Sequence, residues 1–254
     1  MRVLWLTNSS DAHPGVPPAQ RSQAVAARLI EEALGEPVET LQKGVWPTAG
    51  LSTAADRWVR DFQPDVVFLR LSSYPVAYES IPLRLQRKLG RAGNSVANAG
   101  GRVGNSQWLA ERRVYQVTRT AVTRVIGGDT HFTPSEVVAR LEETFRGVIA
   151  RETIVPVVRG TSLLLNTSGT KKGLRRSKRR VTELNALTQA MCERLQIAFF
   201  PELSAEETSS SRLGDLLHDD ACAHEKLGQD DALAILAAWR AAAPAMQDLS
   251  TAQG

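Results

Sequence analysis

The sequence predicts a three-layer α/β/α fold around a parallel sheet of about five strands, and three observations carry that prediction. Short apolar runs without internal alternation recur along the chain, as expected of strands covered on both faces. Segments with apolar residues at helical spacing separate them. The alternation of the two persists nearly to the end of the chain, so each strand has a crossover helix to the next and neighbouring strands run parallel.

Val3 to Leu6 is the first strand, a compact apolar run that ends at polar turn residues. From Ala19 to Leu34 the residues Ala24, Val25, Ala27, Leu29, Ile30 and Leu34 mark a helix, and Gly35 with Pro37 stops it. Val38 to Leu41 is read as a strand, Ser52 to Phe62 as a helix, and PDVVFLRL from Pro64 as a third strand, fully apolar at its centre. Helices are expected over Glu79 to Leu89, Gln107 to Val125 and Pro134 to Ile149, followed by a strand at Ile154 to Val158. The helix at Ser177 to Leu195 leads into the short strand Ile197 to Phe200, and an alanine-rich helix from Gly228 to Ala243 closes the fold. Residues 1–245 read as one domain and residues 246–254 as a polar tail.

Composition bounds the function. At 254 residues, 43% hydrophobic and 23% charged, the chain can bury one core. Lys and Arg exceed Asp and Glu by 31 to 27, and a net charge of +4 does not by itself call for a polyanionic partner. Cys192 and Cys222 lack metal-type spacing and read as free thiols. The apolar start is too short for a signal peptide or a membrane span, so the expected location is cytoplasmic.

In a doubly wound sheet, ligands bind beyond the carboxyl ends of the strands. TNSS lies there, after the first strand: either Ser9 or Ser10 is a nucleophile, or both complete a turn with Asp11 as its cap. A serine nucleophile needs a histidine to take its proton and a carboxylate to orient that histidine. GDLLH offers the pair, with Asp215 three residues before His218.

These residues resemble the SGNH/GDSL hydrolase (esterase/lipase) family, whose first block is a strand followed by Gly-Asp-Ser and whose last block is Asp-x-x-His. VLWLTNSSDAHPG aligns with the first block, putting Ser9 at the nucleophile and Thr7 and Asn8 at the usual Gly and Asp; DLLH matches the last. The resemblance implies the flavodoxin-like SGNH fold, ester hydrolysis with Ser9, His218 and Asp215 as the triad, and no metal or organic cofactor. It also implies an oxyanion hole built from the Ser9 N–H and a glycine N–H after the second strand, for which Gly44 is the candidate. The family's asparagine after the third strand is missing; Ser72 or Ser73 stands near its place, and Asn98 or Asn105 is a more distant substitute. Trp46 and Tyr74 are candidates for lining the substrate pocket. An acyltransferase using the same triad, or a binding protein that has lost catalysis, is the alternative.

Other polar features have simpler explanations. Thr133, Pro134 and Glu136 are spaced as a helix start, so His131 beside them is given no role. His13 and His224 are read as surface-loop histidines. KKGLRRSKRR, from Lys171 to Arg180, has no interleaved aromatics and is read as a solvated helix start, with contact to an acidic substrate or membrane surface second; no nucleic-acid partner is expected. The substrate expected is a small-molecule acyl ester.

Overall fold

A computed structural model describes residues 1–8, 11, 14–89, 121, 128–162, 171–201 and 219–252. Five strands form one parallel sheet: β1 (Arg2–Thr7), β2 (Glu39–Gly44), β3 (Val66–Arg70), β4 (Val155–Arg159) and β5 (Ala198–Phe200), in the order β2-β1-β3-β4-β5. This is the doubly wound order with its topological switch between β1 and β3. The sequence places every strand within a few residues of its observed position.

Register converts the apolar runs into layers. Val3, Val66 and Val155 lie in one row, and Trp5, Phe68 and Val157 in the next, all on one face. Leu6, Leu69 and Val158 form a row on the other. The first face is covered by α1 (Ser22–Leu34) and α7 (Ala221–Ala252). The second is covered by α2 (Leu51–Phe62), α5 (Pro134–Ile149) and α6 (Lys171–Leu195). Two short helices, α3 (Tyr74–Ala77) and α4 (Ile81–Leu89), follow β3. Pro156 is tolerated within β4 because the Val155 N–H donates to Asp65 on the β3 side, turning Pro156 toward β5, whose pairing starts only at Val157.

Local chemistry sets the helix ends. Gly35 terminates α1 in the left-handed conformation, φ 71°, and its N–H donates to the Glu31 carbonyl. Thr133 and Glu136 form a reciprocal capping box at the start of α5, with Pro134 in its first turn. These bonds hold the Glu136 carboxyl below its usual range, the backbone N–H of Thr133 contributing most.

Three expectations change. The helix expected from Glu79 to Leu89 starts two residues later, as α4 from Ile81, with α3 a separate short helix before it, and Glu79 between the two is buried. Its carboxylate accepts from Arg176 at 2.8–3.0 Å through both Nε and Nη2, with Arg180 3.7 Å away. The basic run is therefore not simply solvated: Arg176 and Arg180 neutralise a buried acid, although Arg176 is exposed like Lys171, Lys172, Arg175, Lys178 and Arg179. The closing helix also begins earlier, at Ala221, and reaches Ala252. The segment Gln107 to Val125, apart from residue 121, lies outside the described residues.

Helices α1 and α7 pack closely because of Gly228. A Cβ there would sit 2.6 Å from Val25 Cβ and 2.7 Å from the Ser22 carbonyl oxygen. Alanine favours helix more than glycine does, but a contact with backbone at that distance forces the helices apart. Gly228→Ala is expected to lower the unfolding free energy by about 1–3 kcal/mol in urea denaturation; a gain would show that α1 and α7 separate freely.

Candidate active site

The last register positions on the α1/α7 face are polar. Thr7 ends β1, while Arg70 and Arg159 end β3 and β4 in register with each other. Both arginines are buried, at 4% and 2% exposure, where a guanidinium survives only if paired. Arg70 donates to Asp11 and to Asp231, and Arg159 pairs with Asp231 at 2.8 Å and donates to Asp230. The Arg159 guanidinium also donates to the backbone carbonyls of Pro201 at 3.0 Å and Asp230 at 2.7 Å. Three carboxylates thus alternate with two guanidinium groups, and Asp230 is the one partly exposed member.

This chain of ion pairs fastens Asp11 to the sheet and to α7. Asp11 accepts from Ser22 Oγ at 3.0 Å and from the Asn8 N–H at 3.4 Å, in addition to Arg70. Gln23 Nε2 donates to the Asp11 carbonyl at 3.2 Å and to Gln42 Oε1 at 2.8 Å, and Gln42 donates to Thr7 Oγ1 at 3.0 Å. Asp11 is therefore more than the turn cap expected of it. Complete burial pushes the Asp231 carboxyl above its usual range, with Arg70 and Arg159 acting in the opposite direction.

His224 is corrected from a surface loop to the interior. It is fully buried in α7, and its Nδ1 accepts the Ser22 N–H at 3.1 Å, capping α1 where no side chain of that helix does so. A neutral ring accepting at Nδ1 carries its proton on Nε2. Arg70, Arg159, Asp230 and Asp231 were not singled out from sequence. The signal was present: two apolar strands each end in arginine, and QDDAL puts adjacent aspartates into the last helix.

Toward the edge of the sheet the residues become neutral and aromatic. Gly44 lies opposite Thr7, and the next residue, Val45, donates its N–H to the Thr7 carbonyl at 2.8 Å. A Cβ on Gly44 would meet nothing within 4 Å, so packing does not demand glycine there. Trp46 follows and is 39% exposed. After β3, Ser72 Oγ accepts the Tyr74 N–H at 3.3 Å, and Ser73 is buried, its carbonyl accepting the N–H groups of Val76 and Ala77.

Trp46 lies 6.1 Å from Tyr74, 5.3 Å from His131 and 5.8 Å from Phe132, and Tyr74 stacks on Tyr78 at 4.5 Å. The structure therefore brings Gly44, Trp46 and Tyr74 to one side of the carboxyl edge and adds His131, to which the sequence assigned no role. Ser9, Ser10, His13, Asn98, Asn105, Asp215 and His218 lie outside the described residues.

Partial burial, and then the Arg87 guanidinium, lower the pKa of His131. A ring whose folded-state value is depressed adds stability above its unfolded value and loses it as the pH falls through the folded one. An NMR titration is expected to place the His131 midpoint below 6.5. Arg87→Ala should raise it only part of the way, because burial is the larger cause; a midpoint at or above the ordinary value would mean that the ring is solvated.

Removing one carboxylate from the ion-pair chain strands buried guanidinium charge. Asp231→Ala is expected to cost roughly 3–5 kcal/mol in urea denaturation. Glu32→Ala, which breaks the exposed α1 pair with Arg28, should change stability by less than about 1 kcal/mol. Equal effects would mean that the buried chain is solvated.

No protein-family model matches the chain, and no curated protein matches it in sequence. Solved structures do match it. TesA aligns with TM-score 0.59 at 12% identity, over 94% of this chain and 99% of that one. A carbohydrate acetylesterase from Sinorhizobium meliloti aligns with TM-score 0.54 at 15% identity, over 93% and 98%. A family 3 carbohydrate esterase from Clostridium thermocellum aligns with TM-score 0.52 at 12% identity, over 95% and 98%. The likeness spans nearly the whole of each chain and establishes the architecture: this protein has the α/β/α fold of the SGNH-type esterases.

Proposed function

We propose that this protein hydrolyses small-molecule carboxylic esters through an acyl-enzyme formed on Ser9. Ser9 Oγ attacks the ester carbonyl carbon while His218 takes its proton, and Asp215 holds the imidazole in the required tautomer and stabilises the imidazolium. Collapse of the tetrahedral intermediate breaks the bond to the alcohol oxygen, which receives the proton from His218. Water, deprotonated by the same histidine, then attacks the acyl carbonyl and releases the acid and free Ser9. The backbone N–H groups of Ser9 and Gly44 stabilise the oxyanion, and Ser72 or Ser73 supplies the third donor in place of asparagine. This chemistry needs no metal or organic cofactor.

One observation carries the proposal: the ends of β1, β2 and β3 converge on a single edge, where Gly44 stands opposite Thr7 and Ser72–Ser73 follows β3, in a fold shared with several esterases. The buried pairing of Asp11 favours it further, since it fixes the chain two residues from the proposed nucleophile.

The test is hydrolysis of p-nitrophenyl acetate. Ser9→Ala and His218→Ala, each folded by circular dichroism, are expected to lose at least about a thousandfold in kcat, the scale for removing a triad member. Ser10→Ala should keep activity. No hydrolysis by the unaltered protein, or loss with Ser10 rather than Ser9, would overturn the assignment.

A further inference from the structure

The indole of Trp46 is held in an unusual way for a half-exposed side chain. Among the described residues three rings touch it, and none stacks on it: Tyr74 is tilted at 55°, Phe132 at 66° and His131 at 78°. Tilted and edge-on partners fix the orientation of a ring. The supporting rings are themselves anchored, Tyr74 by stacking on Tyr78 at 16°, and Phe132 through its N–H to the Pro75 carbonyl at 3.1 Å. Trp46 keeps 39% of its surface exposed, two residues beyond Gly44 at the carboxyl edge.

An exposed tryptophan normally retains rotamer freedom that a ligand must remove on binding. Here that cost is met by the fold, the condition under which an aromatic face binds a flat group most effectively. The broad, uncharged surface of the indole calls for a partner that presents a matching apolar face. Both an aryl ring and the C–H face of a pyranose meet that requirement.

We propose that Trp46 is a preorganised stacking platform and that the substrates are esters carrying a ring, aryl or pyranose, which lies on the indole while the carbonyl reaches the oxyanion donors. The location of the reacting carbonyl rests on the ester-hydrolase assignment; the platform rests on Trp46 and the rings that brace it.

Two measurements separate these assignments. In the first, KM is compared for phenyl acetate, an acetylated methyl glucoside and ethyl acetate. Trp46→Ala is expected to raise KM for at least one ring ester about two- to tenfold more than for ethyl acetate, the range for one aromatic pairing. Trp46→Phe should restore part of that difference, which a merely structural role would not produce. The ring ester that suffers more identifies the ring. An equal change for all three esters would overturn the platform. In the second, saturation-transfer NMR is recorded with phenol and with methyl glucoside, neither of which can be hydrolysed as an ester. At least one should receive saturation from the unaltered protein and lose it in Trp46→Ala. If the protein hydrolyses no ester, the catalytic assignment falls, and saturation lost with Trp46 still sustains the platform. Saturation absent from the unaltered protein, or unchanged in Trp46→Ala, overturns it.

Discussion

The carboxyl edge of the sheet is organised around two buried guanidinium groups. Arg70 and Arg159 end neighbouring strands in register, with nearly all of their surface removed from water. A buried guanidinium must be paired, so every element that covers them must bring a carboxylate or a carbonyl. That requirement places Asp11 against β3. It also fixes α7 along its length, because Asp230 and Asp231 must sit above the two strand ends. A fold assembled only from apolar layers would leave both freer to slide.

The two faces of the sheet reach the edge differently. On the α1/α7 face the apolar rows of Val3 and Trp5 give way to Thr7, Arg70 and Arg159, and hydrogen bonds continue outward through Asp11, Ser22, Gln23 and Gln42. Elsewhere along the edge Trp46, Tyr74, Tyr78, His131 and Phe132 meet through their rings. Charge pairing is directional and resists shear, whereas tilted aromatic contacts hold ring orientation, and of these five rings Trp46 is the exposed one.

Much of the fold was legible in the sequence because parallel strands and their covering helices write their burial directly into hydrophobic spacing. VLWL, VVFLR and VPVVR needed no partner to be recognised, and the capping box at Thr133 is local by nature. The burial of Glu79 between α3 and α4 was not legible, since its partner Arg176 lies 97 positions away. Nor was the burial of His224, whose partner is the backbone of Ser22. In each case the deciding contact joins residues that the sequence keeps far apart.

The same distinction separates the parts of the candidate site. Sequence alone determined the architecture, and it marked Gly44, Trp46, Ser72, Ser73 and Tyr74 as residues just beyond strand ends, because strand and turn patterns are set by neighbours in the chain. Only the tertiary structure decided that Arg70 and Arg159 are paired rather than solvated, that Asp11 belongs to their network, and that His131 joins Trp46 and Tyr74. The physical reason is that a buried charge or an aromatic edge is defined by what surrounds it, and those surroundings come from strands and helices that meet only when the sheet closes.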